Sequence, residues 1–330
     1  MAEDKTKEIL EYLGIPAWDK AGYTGKGIKI ISQERVSSAS EFPYVIALDG
    51  YGKDDGRHGS NVMAQMKVIA PDATYYTCSE NAPSTSDWKP GFIGAIIENE
   101  IDLFTTSKIS SVYKTSSTRE KHMQACIDRG TTFFVAAGNG GGGQSLDIYE
   151  EAKSDKFLTI GACEFNDGMA GKAFYSCQGE ELDYMMIANF KGENGTSYAT
   201  NRFCALCARV QQFFKEKAGR TLYRDELIDF INDNVTDLRA KGWDEGTGWG
   251  IFRLPDPATI DVNKYLTHVE KQTMTMTIDS KEVDVDGRKV TFDTAPFIKE
   301  DRTFVPIKLI EELGLKVEWL ETTRQVKITR

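Results

Sequence analysis

The sequence predicts an α/β protein: a mostly parallel central sheet with helices on both faces, followed by a small α+β module. Three observations carry this prediction. Short, nearly continuous apolar strands alternate with helix-like stretches up to about residue 162, the pattern of a parallel sheet buried on both faces. A long helical pattern then starts at Ser197. Beyond about residue 273 the pattern changes to short alternating strands around one helix.

Taken in order, the first strand is Gly27 to Ser32, β-branched and entered from the glycine-rich turn 24–27. Ala73 to Cys78, Ile101 to Thr106, Thr132 to Ala137 and Phe157 to Ala162 read as further strands, separated by helix-like stretches at 58–66, 91–100 and 118–129. The pattern from Ser197 to Lys217 reads as amphipathic, with Phe203, Leu206, Cys207, Val210 and Phe213 on one side; another helix follows at 223–232. Turns at 242–250 and the prolines Pro255 and Pro257 end the large domain. The expected organisation is a domain over 1–257, a polar connector over 258–272 and a module over 273–330.

At 330 residues, with 40% hydrophobic and 27% charged side chains, the chain reads as a globular protein with a sizeable core. No run is long enough for a membrane span. Residues 271–330 hold 11 basic and 11 acidic side chains, so the whole net charge of −10 falls on residues 1–270. That balance argues against nucleic acid or an anionic membrane surface as a partner. The start Met1-Ala2-Glu3-Asp4-Lys5 lacks the basic and apolar stretches of a secretory signal, so a cytoplasmic location is expected. The six cysteines lie mostly in apolar runs and are expected as reduced core thiols, including the Cys204 and Cys207 pair, which has no second pair at ligand spacing. Neither a metal nor a cofactor is expected.

Three segments carry residues suited to acyl transfer. His58 opens a helical stretch, Ser197 follows a glycine-containing turn at another helix start, and Asn139 ends a buried strand in a glycine-rich loop. Each is common in isolation: a serine at a helix start is usually a cap. Together they form a chemical set. A serine hydroxyl needs a base, and neutral imidazole suits that task. A helix N-terminus offers free N–H groups, and an asparagine amide can donate to an oxyanion. The helix N-terminus also disfavours an imidazolium at His58, so a carboxylate must offset it. Glu34, just past the carboxyl end of the first strand, is the best-placed candidate, with Asp54 and Asp55 as alternatives.

These segments resemble, in order, the subtilisin family of serine peptidases. Gly22 to Ile30 resembles its opening strand, His58-Gly59-Ser60-Asn61-Val62 its His-Gly-Thr-His-Val block, and Val68 to Ala73 the Val-Ala-Pro segment after it. Ala136-Ala137-Gly138-Asn139 matches the oxyanion asparagine motif, Gly195-Thr196-Ser197-Tyr198-Ala199 resembles Gly-Thr-Ser-Met-Ala, and Gly248-Trp249-Gly250 resembles the closing Gly-Trp-Gly. The resemblance spans about residues 14–257 and implies a subtilisin-like three-layer fold. It implies Ser197 as nucleophile, His58 as base, Glu34 as its orienter and Asn139 in the oxyanion hole. It also implies substrate binding by Ser107, Lys108, Ile109, Ser110, Ala137 and Gly138.

Departures from the family pattern matter as much. Glu34 stands where the family has aspartate; its extra methylene shifts the carboxylate by about 1.5 Å, so a bond to His58 requires the backbone to retreat. Thr106 to Ser110 lacks the glycines usual in the substrate-pairing strand, and too few residues separate the His58 helix from Ala70 to hold the calcium loop of many relatives. From about 274 onward the chain resembles the stalk-like N-terminal domain of copper amine oxidases, without any His or Cys after His268. No copper is therefore implied there, and an adhesive or partner-binding role at a protein or cell surface is the expectation. The whole reads as a serine endopeptidase acting on protein or peptide, or else as a pseudopeptidase that binds a partner.

Overall fold

The computed structural model describes residues 2–34, 42–48, 57–78, 90–107, 109–189, 192–239, 241–268, 274–285, 288–313, 315–321 and 324–329. The chain divides into two units, 1–268 and 269–330.

In the first unit the β-branched run after the Gly27 turn forms β1 (Lys29–Gln33), and β2 (Val45–Ala47) and β3 (Thr74–Thr77) extend the sheet on one side. β4 (Leu103–Thr106), β5 (Thr132–Ala136) and β6 (Phe157–Asn166) extend it on the other, all parallel, with Ser32 opposite Thr105 and Thr106 opposite Val135. The sheet continues through β8 (Tyr184–Ile187) to β10 (Ile251–Phe252) and the antiparallel edge β9 (Val235–Thr236); β7 (Met169–Lys172) hairpins onto β6. Among the described residues the order is β2-β3-β1-β4-β5-β6-β8-β10-β9, with β7 paired to β6. The core strands β4, β5 and β8 are buried at every position, including Thr105, Thr106 and Thr132, as in a parallel sheet covered on both faces.

The helices are α1 (Ala2–Tyr12), α2 (Ile15–Ala21), α3 (Arg57–Ile69), α4 (Pro90–Glu98), α5 (Ser117–Ile127), α6 (Thr196–Ala218) and α7 (Arg224–Asn232). The predicted helices and strands up to residue 162 correspond to α3 to α5, β1 and β3 to β6 within a few residues; α1, α2 and the short strands β2 and β7 to β10 were not anticipated.

α6 differs from its expected one-sided character. Apart from Ser197, it is buried on all sides from Thr196 to Phe214, packed on the sheet and on α3. Most of its polar positions are accommodated by partners rather than by solvent, Thr200 Oγ1 and Arg202 Nε being buried without a hydrogen bond among the described residues. Arg202 donates to the carbonyls of Ile187 (2.8 Å) and Ala188 (2.6 Å) and to Gln65, and burial pulls its guanidinium down to about 9. Arg209 donates to the Ile69 and Tyr23 carbonyls and pairs with Asp19 at 2.7 Å. A helix buried all round can keep such groups only when each finds a partner. Gly219, at φ 80, ends it in a left-handed cap.

All six cysteines are buried, and none is in a disulfide. Residues 258–268 carry two short 3-10 turns and belong to the first unit, where Tyr265 is buried and edge-on to Phe214 and Phe230. No described helix is long and apolar enough to cross a membrane.

The second unit has β11 (Met274–Met276), β12 (Glu282–Val285) and β13 (Arg288–Thr291) in one antiparallel sheet, and two hairpins, β14 (Phe297–Lys299) with β15 (Arg302–Phe304) and β16 (Lys316–Leu320) with β17 (Gln325–Thr329). The predicted helix at 307–313 is a 3-10 helix. Val283, Val285 and Leu309 form its small buried cluster.

Candidate active site

The carboxyl ends of the central parallel strands gather the chemically suited residues, as expected for an open α/β sheet. Glu34 follows β1, Ser107 follows β4, and Ala137, Gly138 and Asn139 follow β5.

The chain leaves β1 in a tight turn, in which the Glu34 N–H donates to the Ser32 carbonyl at 2.8 Å and the Glu34 carbonyl accepts the Thr77 hydroxyl at 2.5 Å. From this turn the Glu34 side chain reaches the imidazole: Glu34 Oε2 lies 3.1 Å from His58 Nδ1. Glu34 is only 3% exposed, whereas the His58 side chain, in the first turn of α3, is 48% exposed. The other carboxylate oxygen, Oε1, is buried without a hydrogen-bond partner among the described residues.

On the facing side, α6 begins at Thr196 after Gly195, whose φ of 131 an L side chain rarely adopts. The Gly195 N–H donates to the Tyr175 hydroxyl at 3.0 Å, and the Thr196 N–H donates to Asn139 Oδ1 at 2.9 Å. The Ser197 N–H has no acceptor among the described residues, so one donor of the helix terminus remains uncommitted. With its oxygen accepting from Thr196, the Asn139 carboxamide lies against the start of the helix, its NH2 group close to Gly195. The His58 ring lies 5.4 Å, centroid to centroid, from the ring of Tyr198, the residue after Ser197.

Two residues that the sequence did not single out bind these pieces together. Glu193 accepts from Asn61 of α3 (2.7 Å) and from the Tyr198 hydroxyl (2.9 Å), bridging the two helices that carry His58 and Ser197. Burial and this carboxylate push the Tyr198 phenol up to about 12. Asn201, one turn beyond Ser197, accepts from Ser32 at 3.0 Å and donates to Ser107 at 3.0 Å and to the Ser197 carbonyl at 2.7 Å. It thereby ties the ends of β1 and β4 to the first turn of α6. Its place at i+4 from Ser197 was the only signal in the sequence.

The family model described as "Subtilase family" matches residues 50–250, well over half of the chain. The chain belongs to the subtilase family. His58, Asn139 and Ser197 fall inside the matched segment and Glu34 precedes it. Residues 248–328 match the model described as "Copper amine oxidase N-terminal domain". No curated protein matches the chain.

Solved structures similar to this subtilase include a lanthipeptide protease (15% identity, 76% of this chain and 93% of that one, TM-score 0.56). MycP1 from Mycobacterium smegmatis matches at 18% identity over 76% of this chain and 83% of its own, TM-score 0.56. The prenylagaramide maturation protease PagA matches at 16% identity over 77% and 100%, TM-score 0.57. At these identities the likeness is one of fold.

The residues expected to bind substrate are variously disposed in the subtilase. The Ser110 N–H donates to Glu151 Oε2 at 2.7 Å, and Glu151 is buried in an ion pair with Arg119. Ile109 packs against the core. The Ala137 N–H and carbonyl are engaged with Ile160 (3.0 Å) and Tyr149 (3.1 Å), and the Gly138 carbonyl accepts from Cys177 at 3.1 Å. Gly138 has φ 109, and a Cβ there would come 2.3 Å from Tyr149 Cδ1. Lys108, Asp54 and Asp55 lie outside the described residues. Among the described residues no group of three or more His, Cys, Asp or Glu is disposed to hold a metal ion. Of the other histidines, His268 stacks on Tyr223 at 3.6 Å, and His122 on α5 is partly buried.

Proposed function

We propose that this subtilase is a serine endopeptidase that works through an acyl-enzyme, with Glu34 in the part usually taken by aspartate. The Ser197 hydroxyl oxygen attacks the carbonyl carbon of the scissile peptide bond while His58 takes its proton. Glu34 holds Nδ1–H of the ring, which leaves Nε2 as the base and offsets the charge of the imidazolium. The oxyanion forms against the Asn139 NH2 group and the Ser197 N–H. His58 returns the proton to the leaving amine as the C–N bond breaks, leaving an ester on Ser197. A water that loses its proton to His58 then attacks the ester, releases the carboxylic acid and restores the serine hydroxyl.

The observation that carries this reading is the Glu34 to His58 pair, 3.1 Å long, between a buried carboxylate and an imidazole whose ring neighbours Tyr198. The test is a fluorophosphonate serine probe combined with a fluorogenic peptide. Wild type is expected to label and cleave; Ser197→Ala is expected to lose labelling and about 10⁶ in turnover. One observation favours a second reading, a pseudopeptidase that binds a partner: Glu34 Oε1 is buried without a partner among the described residues, one hydrogen bond short of a fully held carboxylate there. A folded wild type that neither labels nor cleaves would establish that reading instead.

A further inference from the structure

Between β4 and α5 the chain crosses residues 107–116 without helix or strand at its described positions, and this crossing borders the candidate site. At its start the Ser107 hydroxyl accepts from Asn201, which also donates to the Ser197 carbonyl. Further on, Ser111 and Asn139 line the same cavity. Irregular backbone has no ladder of its own, so its groups must be held from elsewhere.

Here the hold comes from beneath, through a buried acid. Glu151 lies on a short 3-10 helix (Glu150–Lys153) whose Ala152 carbonyl accepts the Thr159 hydroxyl of β6 at 2.7 Å. The Glu151 N–H donates to the Ser110 carbonyl at 3.2 Å, its Oε2 accepts the Ser110 N–H at 2.7 Å, and its carbonyl accepts the Thr115 hydroxyl at 3.1 Å. Oε1 is paired with Arg119 in the first turn of α5, and both side chains are buried. Ser110 passes the constraint outward, because its hydroxyl accepts from the N–H groups of Val112 (3.1 Å) and Tyr113 (2.9 Å), whose side chains are exposed. Stability alone does not call for an ion pair at this place, since an apolar pair of the same volume is often as stable. What the carboxylate adds is an acceptor aimed at a backbone N–H of the crossing.

We propose that Glu151, held by Arg119, is a positioning residue for the substrate: it fixes the crossing at Ser110, so that an extended peptide meets a preformed wall beside Ser197 and Asn139. The role rests on the peptidase reading, and a preformed wall lowers the cost of ordering on binding. The nucleophile is held separately, by Asn139 and Asn201, so loss of the Glu151 acceptor should weaken reaction with a peptide and spare reaction with a small reagent. Two double variants of the full chain test this. Arg119→Met with Glu151→Gln removes both charges and keeps an acceptor for the Ser110 N–H; Arg119→Met with Glu151→Met removes both charges and the acceptor. Each is treated with an alkyl fluorophosphonate and with tetrapeptide diphenyl phosphonates ending in phenylalanine, leucine, alanine, lysine or glutamate, using the member that wild type takes fastest. Loss of one hydrogen bond predicts that the second double variant loses about tenfold in labelling by the peptide reagent relative to the small one, while the first stays within about twofold of wild type. Thr115→Val, which leaves the buried pair intact, is expected to show the same selective loss at about two- to threefold, and it serves if a double variant fails to fold. Rates that fall together for both reagents, or double variants that behave alike, overturn the assignment as a merely structural role. A wild type that takes the fluorophosphonate and none of the peptide reagents also overturns it, while Ser197 remains the nucleophile. A wild type that takes neither reagent overturns the peptidase reading itself.

Discussion

The two sides of the candidate site are built in different ways. On the nucleophile side, Gly195, Thr196 and the Ser197 carbonyl are each held by a named side chain, Tyr175, Asn139 and Asn201, around the start of a helix buried in the core. On the base side Glu34 lies 3.1 Å from a half-exposed imidazole whose ring neighbours Tyr198, and the second carboxylate oxygen has no partner among the described residues. The difference teaches that the core helix holds the nucleophile wall in several places at once, whereas the carboxylate facing the base reaches it from one buried side chain and the turn behind it. Substitutions on the two sides should therefore fail differently, in rate on the base side and in both rate and stability on the other.

After loss of the nucleophile itself, the largest effect is expected at Glu34→Gln. The amide preserves shape but removes the charge that offsets the imidazolium, and it can hold the wrong tautomer. By analogy with the loss of the triad aspartate in other serine proteases, kcat should fall by about 10⁴. Urea unfolding should change little. A drop below about tenfold would mean that the base side does not limit turnover, and the contrast would collapse. Next is Asn139→Ala, which removes an oxyanion donor and also orphans the Thr196 N–H. It should cost about 10² to 10³ in kcat together with measurable stability, because an unpaired buried donor has its own cost. A loss of rate with an unchanged unfolding midpoint would show that the Thr196 bond contributes nothing to stability.

How much of this was readable in the sequence follows the same division. The strands of the central sheet announced themselves as unbroken apolar runs, and the glycine-bracketed segments at His58, Asn139 and Ser197 stood out because backbone constraint and chemistry coincide there. α6 misled for a physical reason: the pattern read as amphipathic, yet Arg202, Arg209, Gln211 and Gln212 are buried against partners outside the helix, and periodicity does not report tertiary partners. Glu193 and Asn201 were invisible because nothing local distinguishes them from surface polar residues. The reach of Glu34 depended on a three-residue turn stabilised by Thr77, on a different strand. The short strands β7 to β10 lack the length that makes a period visible, and the 3-10 helix at 307–313 carries the same apolar spacing as an α-helix.

A pH titration probes the nucleophile side from beneath. Asp183, at the entry to β8, accepts from the Thr159 N–H at 2.7 Å, and burial pushes its carboxyl from 3.8 up to about 6. The native state therefore holds this proton more tightly than the unfolded chain does. Stability falls as pH rises from about 4 to 6 and then levels, by about 3 kcal/mol. Asp183→Asn can keep the accepting oxygen and should remove that part of the decline, so wild type and variant should converge at low pH and separate at pH 7 in favour of the variant. Parallel urea curves at every pH would show that this carboxylate is not perturbed.

The smallest and most discriminating change is Glu34→Asp. If the site simply tolerates glutamate in place of aspartate, shortening the side chain should improve it. The turn at 32–34 argues otherwise, because the Glu34 N–H to Ser32 bond and the Thr77 hydroxyl fix the backbone from which the longer chain reaches His58. Aspartate on that backbone would withdraw the carboxylate by about 1.5 Å and carry a 3.1 Å contact out of hydrogen-bond range. We expect kcat to fall about tenfold, since a nearby carboxylate still offsets charge without orienting the ring. Adding Thr77→Val should release the turn and recover part of that loss. Activity in Glu34→Asp at or above wild type would mean that the turn adapts to either side chain and that the base side is less dependent on Glu34 than its geometry indicates.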